Sequence, residues 1–125
     1  MAKKSNVPVH MLLIRIPKSY QVGMGSLFLY ELTRGYWRVD IQKIGNVKAW
    51  PYAAAVFKDT ILEVYKIDAW QTGAEAVMLT RVPNAAEKDR YVFTGTIAPK
   101  SIRQRFVGQS CLNFKPGDQS PVRYL

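Results

Sequence analysis

The chain has 125 residues, 48% of them hydrophobic, and no apolar run approaches the length of a membrane span. That length suits one domain with a single core, and the lone Cys111 excludes an internal disulfide framework and points to a reducing, cytoplasmic setting. Eighteen basic against nine acidic side chains give a formal net charge of +9, a field that attracts nucleic acid, nucleotides or an acidic protein; with no apolar run of spanning length, no membrane partner is expected.

Residues 1–8 read as a flexible start. The apolar run "VHMLLIRIP" that follows "MAKKSN" is too short for a signal peptide, is broken by Arg15, and has no small-residue cleavage site after it. Residues 11–16 predict a first strand, ended by Pro17. After the glycine-containing loop "KSYQVGMGS", Ser26 is placed to cap a helix over 27–34, with Gly35 at its C′ position. The chain then reads as extended over 37–41 and enters the connection "KIGNVKAWP".

"YAAAVFKDTILEVYKI" predicts a hairpin, with strands over 52–57 and 61–67 and a Lys58-Asp59-Thr60 turn. The second strand is apolar on both faces, as an interior strand should be. The small side chains of Ala53, Ala54 and Ala55 leave room for a helix or ligand to approach. A further strand is expected over 76–82, a polar loop from Pro83, a strand over 91–96, a short helix over 99–106 and a closing strand over 122–124. In the 99–106 segment proline occupies the first turn, and Ile102 and Phe106 lie four apart. Six or seven short strands and two short helices predict one α+β, β-rich domain over 1–125. A partly closed barrel would remove the sheet edges; an open α+β sheet is the alternative.

The residues give little support to catalysis. His10 is the only histidine, so a Ser-His-Asp or Cys-His site would have to use it. One Cys and one His cannot supply a zinc site, and no phosphate-binding Gly-rich loop with its Lys-Ser/Thr is present. Glu63 and Lys66 are three apart and would face opposite sides of a regular strand, which does not build a magnesium-plus-lysine site. No catalytic residue, metal ligand or cofactor is therefore assigned. Glu31 and Asp40 flank the "RGYWR" stretch, and one of them is expected to pair with Arg34 or Arg38.

Three stretches combine cations with aromatics, the pairing that holds phosphates and stacks bases. The first is Arg34, Tyr36, Trp37 and Arg38. The second is Arg103 and Arg105 beside the "FVGQS" turn, where Gly108, Gln109 and Ser110 offer N–H groups and a hydroxyl to an anion. The third is the tail, with Lys115, Gln119, Ser120, Arg123 and Tyr124. Each also has a structural reading: Trp37 as core, Arg34 as a helix-end cation, Arg103 and Arg105 as solvated helix charges, Tyr124 as part of the closing strand.

The order "RGYWRV", "YAAAVFKDTILEVYKIDAW", "RYVFTGTIA", "RFVGQS" and "PGDQSPVRYL" resembles a poorly characterised bacterial and phage family of small domains. Its pattern is Arg-Gly-x-Trp, Val-Tyr-x-Ile-x-x-Trp, Phe-x-Gly, aromatic-Val-Gly-x-Ser and a closing Pro-x-x-Tyr. The resemblance covers most of the chain from Arg15 onward and implies one shared fold, without an activity. In layout the chain also looks like PUA- and ASCH-type barrels, which bind RNA or nucleotides. The expected function is a non-enzymatic binding module for a nucleotide-type anion: a phosphorylated small nucleotide, such as a sequestered signal, or exposed bases of nucleic acid. The alternatives are a basic module that binds an acidic protein, and a small nuclease or hydrolase with an unrecognised site.

Overall fold

A computed structural model describes residues 10–16, 20–21, 23–80, 82–111, 114 and 120–125. The flexible start expected over 1–8, and Lys115 and Gln119 of the tail, lie outside them. Five strands form one mixed sheet: β1 (Met11–Arg15), β2 (Tyr52–Phe57), β3 (Thr60–Thr72), β4 (Tyr91–Ile97) and β5 (Val122–Tyr124), in the order β4-β3-β2-β1-β5. β1 runs parallel to β2, and the other pairings are antiparallel. A parallel pair needs a crossover, and here the crossover carries α1 (Ser26–Arg34) and α2 (Ile41–Ile44). The third α-helix, α3 (Lys100–Phe106), follows β4.

The sheet is buried on both faces, and the period of two sorts its side chains. Leu12, Ile14, Ala53, Ala55, Tyr65, Ile67, Phe93 and Val122 pack on one side, where Leu29, Tyr30 and Leu32 of α1 and Ile41 of α2 meet them. Met11, Leu13, Ala54, Val56, Ile61 and Val64 pack on the other, against Ile102 and Phe106 of α3, Cys111 and Phe114. The three alanines of β2, the middle strand, are fully buried. On the face of Ala53 and Ala55 the helix α1 lies against β2, a close approach that these small side chains allow.

The sheet is open, with five strands rather than the expected six or seven, and does not close into a barrel. The expectation failed because a barrel is only one way to remove an edge. Along β4, Tyr91 exchanges both main-chain bonds with Trp37 at 2.9 Å, Phe93 O accepts Arg34 Nε at 2.9 Å, and Gly95 N–H donates to the Tyr30 hydroxyl at 2.9 Å. Along β5, Ser120 Oγ accepts the Val122 N–H at 3.3 Å, and Arg123 Nη1 donates to Val122 O at 2.9 Å. Side chains and one isolated bridge therefore blunt both edges without closure.

Three local expectations also change. Of the strand expected over 76–82, the described residues 76–80 and 82 are not in a strand; the N–H groups at 79 and 80 bond a carboxylate instead of a ladder. Of the extended stretch expected over 37–41, residues 37–40 supply only the single Trp37–Tyr91 bridge, and α2 already begins at Ile41. Ser26 is the first helical residue of α1 rather than its cap, a position held by Gly25 with no side-chain cap bond.

Gly35 ends α1 in an extended conformation, at φ 178°, which any residue adopts. Its requirement is space: a Cβ there would lie 2.6 Å from Val92 Cγ2 and 3.1 Å from Val92 Cβ. Val92 is β-branched and fully buried, so it has little room to yield. Gly35→Ala should therefore cost about 1–3 kcal/mol by overpacking. Urea titration should show the loss, and Val92→Ala in the same chain should recover part of it relative to the sum of the single changes.

Candidate anion-binding site

The sequence-predicted residues do not converge on one site. Arg34 is 7% exposed. Its guanidinium donates to Phe93 O, to Glu31 Oε2 at 2.9 Å and to Val77 O at 3.2 Å, and it lies over the Tyr30 ring at 5.3 Å. It is a structural residue that ties α1 to β4 and to the 76–80 segment, and Glu31 is the partner that the flanking carboxylates suggested. Tyr36 is buried against Ala76 and Val92. Trp37 is half-buried against the α1-side core, and its Nε1 donates to Thr33 O at 2.7 Å. Only Arg38 of this stretch is exposed.

The second stretch is also largely committed. Arg103 makes a two-pronged pair with Glu63, at 2.7 and 3.0 Å, which joins α3 to β3 and holds the guanidinium above its ordinary pKa. Arg105 lies over the neighbouring Phe106 ring at 5.0 Å. The "FVGQS" turn closes α3 with Gly108 at φ 85°. Part of it is tied to the hairpin. Gly108 N–H donates to Ile61 O and Cys111 N–H to Asp59 O, with Ser110 bridged to Thr60, while Gln109 N–H donates to Phe106 O at the end of α3.

In the tail, Arg123 lies over Phe114 at 5.3 Å, as does Arg15 of the neighbouring strand. Tyr124 leads to the most open arrangement of cations and aromatics. Its hydroxyl accepts the Asp40 N–H at 2.9 Å, and Lys43 Nζ sits 4.7 Å from its ring centroid. The same ammonium lies 5.3 Å from the Trp50 ring. Trp50 meets Tyr124 edge to face at 5.8 Å and is stacked by His10 at 4.8 Å, with a 31° tilt. His10 Nδ1 is 3.3 Å from the main-chain oxygen of Leu125.

Local sequence explains each placement. Asp40 caps α2, its Oδ1 accepting the Lys43 N–H at 3.3 Å, so Lys43 stands one turn in, beside Tyr124. Asn46 then turns the chain: its main-chain oxygen accepts the Ala49 and Trp50 N–H groups and its side chain accepts that of Lys48. Pro51 follows and β2 begins. Pairing of Leu12 with Tyr124 sets the end of β5 beside the start of β1, where His10 lies. The site thus gathers three distant segments at one end of the sheet.

Lys43 and Arg38 are exposed and form no ion pair among the described residues, whereas Trp50 is almost wholly buried and Tyr124 is 37% exposed. The cluster therefore presents a fixed aromatic edge, a solvated ammonium and an imidazole. An ammonium in that position can meet a phosphate, and the Tyr124 ring can meet a planar base. Among the described residues no group of three metal-ligating side chains comes together, and no helix is long and apolar enough to cross a membrane.

No family model, curated protein or solved structure matches this chain. Sequence reading reached Tyr124 and Arg38 but missed His10, Lys43 and Trp50. A Lys-x-Gly-Asn turn and a tryptophan before proline carry no motif, and only the crossover brings them to the closing strand.

Proposed function

We propose that the domain is a non-enzymatic binding module for a nucleotide-type anion, with the site at His10, Lys43, Trp50 and Tyr124 and with Arg38 at its margin. The observation that carries this reading is the Lys43 ammonium held over Tyr124 and Trp50 with no carboxylate paired to it among the described residues. The net charge of +9 supports it by drawing polyanions to the surface. In this reading Lys43 meets the phosphate, Tyr124 stacks the base, and Trp50 with His10 keeps both in place.

The test is calorimetric titration with ATP, AMP and a short single-stranded oligonucleotide. A phosphate contact to a cation is worth about 1.5–3 kcal/mol and a stacked base about 1–3 kcal/mol. Lys43→Ala and Tyr124→Ala should each weaken binding roughly tenfold or more, and the Lys43 effect should shrink at high salt because the group is exposed. Wild-type affinity in both variants, or a wild-type protein that binds none of the three, rejects the site.

A further inference from the structure

Exposed cations continue from the Lys43–Tyr124 site along the crossover that builds it. Between Trp37 and Trp50 the chain carries four charged side chains, all exposed: Arg38, Lys43, Lys48 and the carboxylate of Asp40. Asp40 is occupied at the start of α2, where its Oδ1 accepts the Lys43 N–H. The three cations form no ion pair among the described residues. Asp40 donates its N–H to the Tyr124 hydroxyl, and Trp50 meets the Tyr124 ring edge to face at 5.8 Å. Arg38 stands two residues before Asp40 and Lys48 two before Trp50. The Cα of each therefore lies within about 7 Å of the Cα of a residue that touches Tyr124.

Both outer cations hang from anchored main chain. Trp37, next to Arg38, exchanges main-chain bonds with Tyr91 at 2.9 Å, and the Lys48 N–H donates to Asn46 Oδ1 at 3.1 Å. Arg38 precedes α2, Lys43 lies within it and Lys48 follows it, so the cations are spread along the crossover near one part-exposed ring. This spread selects among nucleotide-type ligands. A mononucleotide carries its phosphate on one side of its base and can meet one such cation. A strand carries a phosphate before and after each internal base and can meet several. A duplex keeps its base faces inside the stack, out of reach of the Tyr124 ring. Cations that track a backbone beside an aromatic face are the combination that suits single strands.

We infer that the Lys43–Tyr124 site takes single-stranded nucleic acid, with one base stacked on Tyr124 and successive phosphates on Arg38, Lys43 and Lys48. The inference rests on the nucleotide-type reading of that site and narrows it to one substrate class. The experiment is fluorescence-anisotropy titration of the full chain with a labelled ten-residue oligothymidylate at several salt concentrations. AMP and a ten-base-pair duplex serve as unlabelled competitors. Wild type is compared with Arg38→Gln, Lys48→Gln and the double variant. Melting curves first establish that these variants, altered only at exposed positions, are folded.

The expected result is that wild type binds the oligothymidylate at least tenfold more tightly than AMP or the duplex. The double variant should bind it at least tenfold more weakly than wild type and keep its affinity for AMP. The slope of log affinity against log salt should fall by about 0.7 for each phosphate contact removed. If AMP binds as tightly as the strand, or the variants keep wild-type affinity for the strand, the inference is overturned and the nucleotide site is left standing. Equal binding of the duplex assigns the attraction to the overall charge and overturns the inference too. A wild-type protein that binds neither AMP nor the strand removes the site itself, and the inference with it.

Discussion

Arg34→Ala is expected to lower the unfolding free energy by about 3–5 kcal/mol, the range for removing one partner of a buried ion pair. The change strands the Glu31 carboxylate, 3% exposed, and deprives Phe93 O and Val77 O of their donor. Replacing both partners by apolar residues of similar size, as in Glu31→Met with Arg34→Met, should cost less than Arg34→Ala alone, because no uncompensated charge remains. Chemical denaturation of the single and double variants measures the difference. If Arg34→Ala instead unfolds at the wild-type midpoint, the guanidinium is not the tie between α1 and β4.

The same pair makes the fold sensitive to acid. Burial pushes the Glu31 carboxyl upward, but the N–H groups of Thr80 and Leu79 and the Arg34 guanidinium together outweigh it and hold it below the ordinary carboxylate value. A group depressed in the folded state contributes stability that is complete above its unfolded pKa and is lost as pH falls through the folded one. The 77–80 segment should therefore loosen in acid before the rest of the sheet. Amide exchange at Leu79 and Thr80, compared with wild type in Glu31→Gln, reads this directly.

Trp37→Ala should destabilise the domain by about 3 kcal/mol, the low end for tryptophan truncation because part of the indole is exposed. It removes packing against the α1-side core and the Nε1 bond to Thr33 O. It should leave nucleotide affinity unchanged wherever the variant is folded, while Lys43→Ala should do the reverse. Melting curves and titrations on the two variants separate an edge-sealing tryptophan from a ligand platform. A Trp37→Ala variant that melts like wild type and loses binding would invert both assignments.

The sequence by itself determined the elements whose signal is local. The alternating run from Tyr52 to Ile67, bounded by Pro51 and turned at Lys58 and Asp59, specifies its hairpin, because a period of two and a short polar turn admit little else. The helix ending at Arg34 was legible from the Gly35 that closes it, and the short helix after Pro99 from the proline in its first turn and from Ile102 and Phe106 four apart. The absence of a zinc ligand set or a phosphate-binding loop was equally a matter of residue inventory. Composition also fixed the basic character that any partner must meet.

Tertiary structure alone decided closure, and with it the fate of the charged residues. A barrel was expected to remove the edges, but Arg34, Tyr30 and Trp37 cover β4, and Ser120 and Arg123 satisfy β5. An arginine beside two aromatics reads identically in sequence whether it faces a ligand or a buried carboxylate; in the fold Arg34 faces the buried Glu31. Conversely, Lys43, Trp50 and His10 carry no mutual spacing. They meet because β1 pairs parallel with β2 and antiparallel with β5, a long-range arrangement that no local propensity encodes.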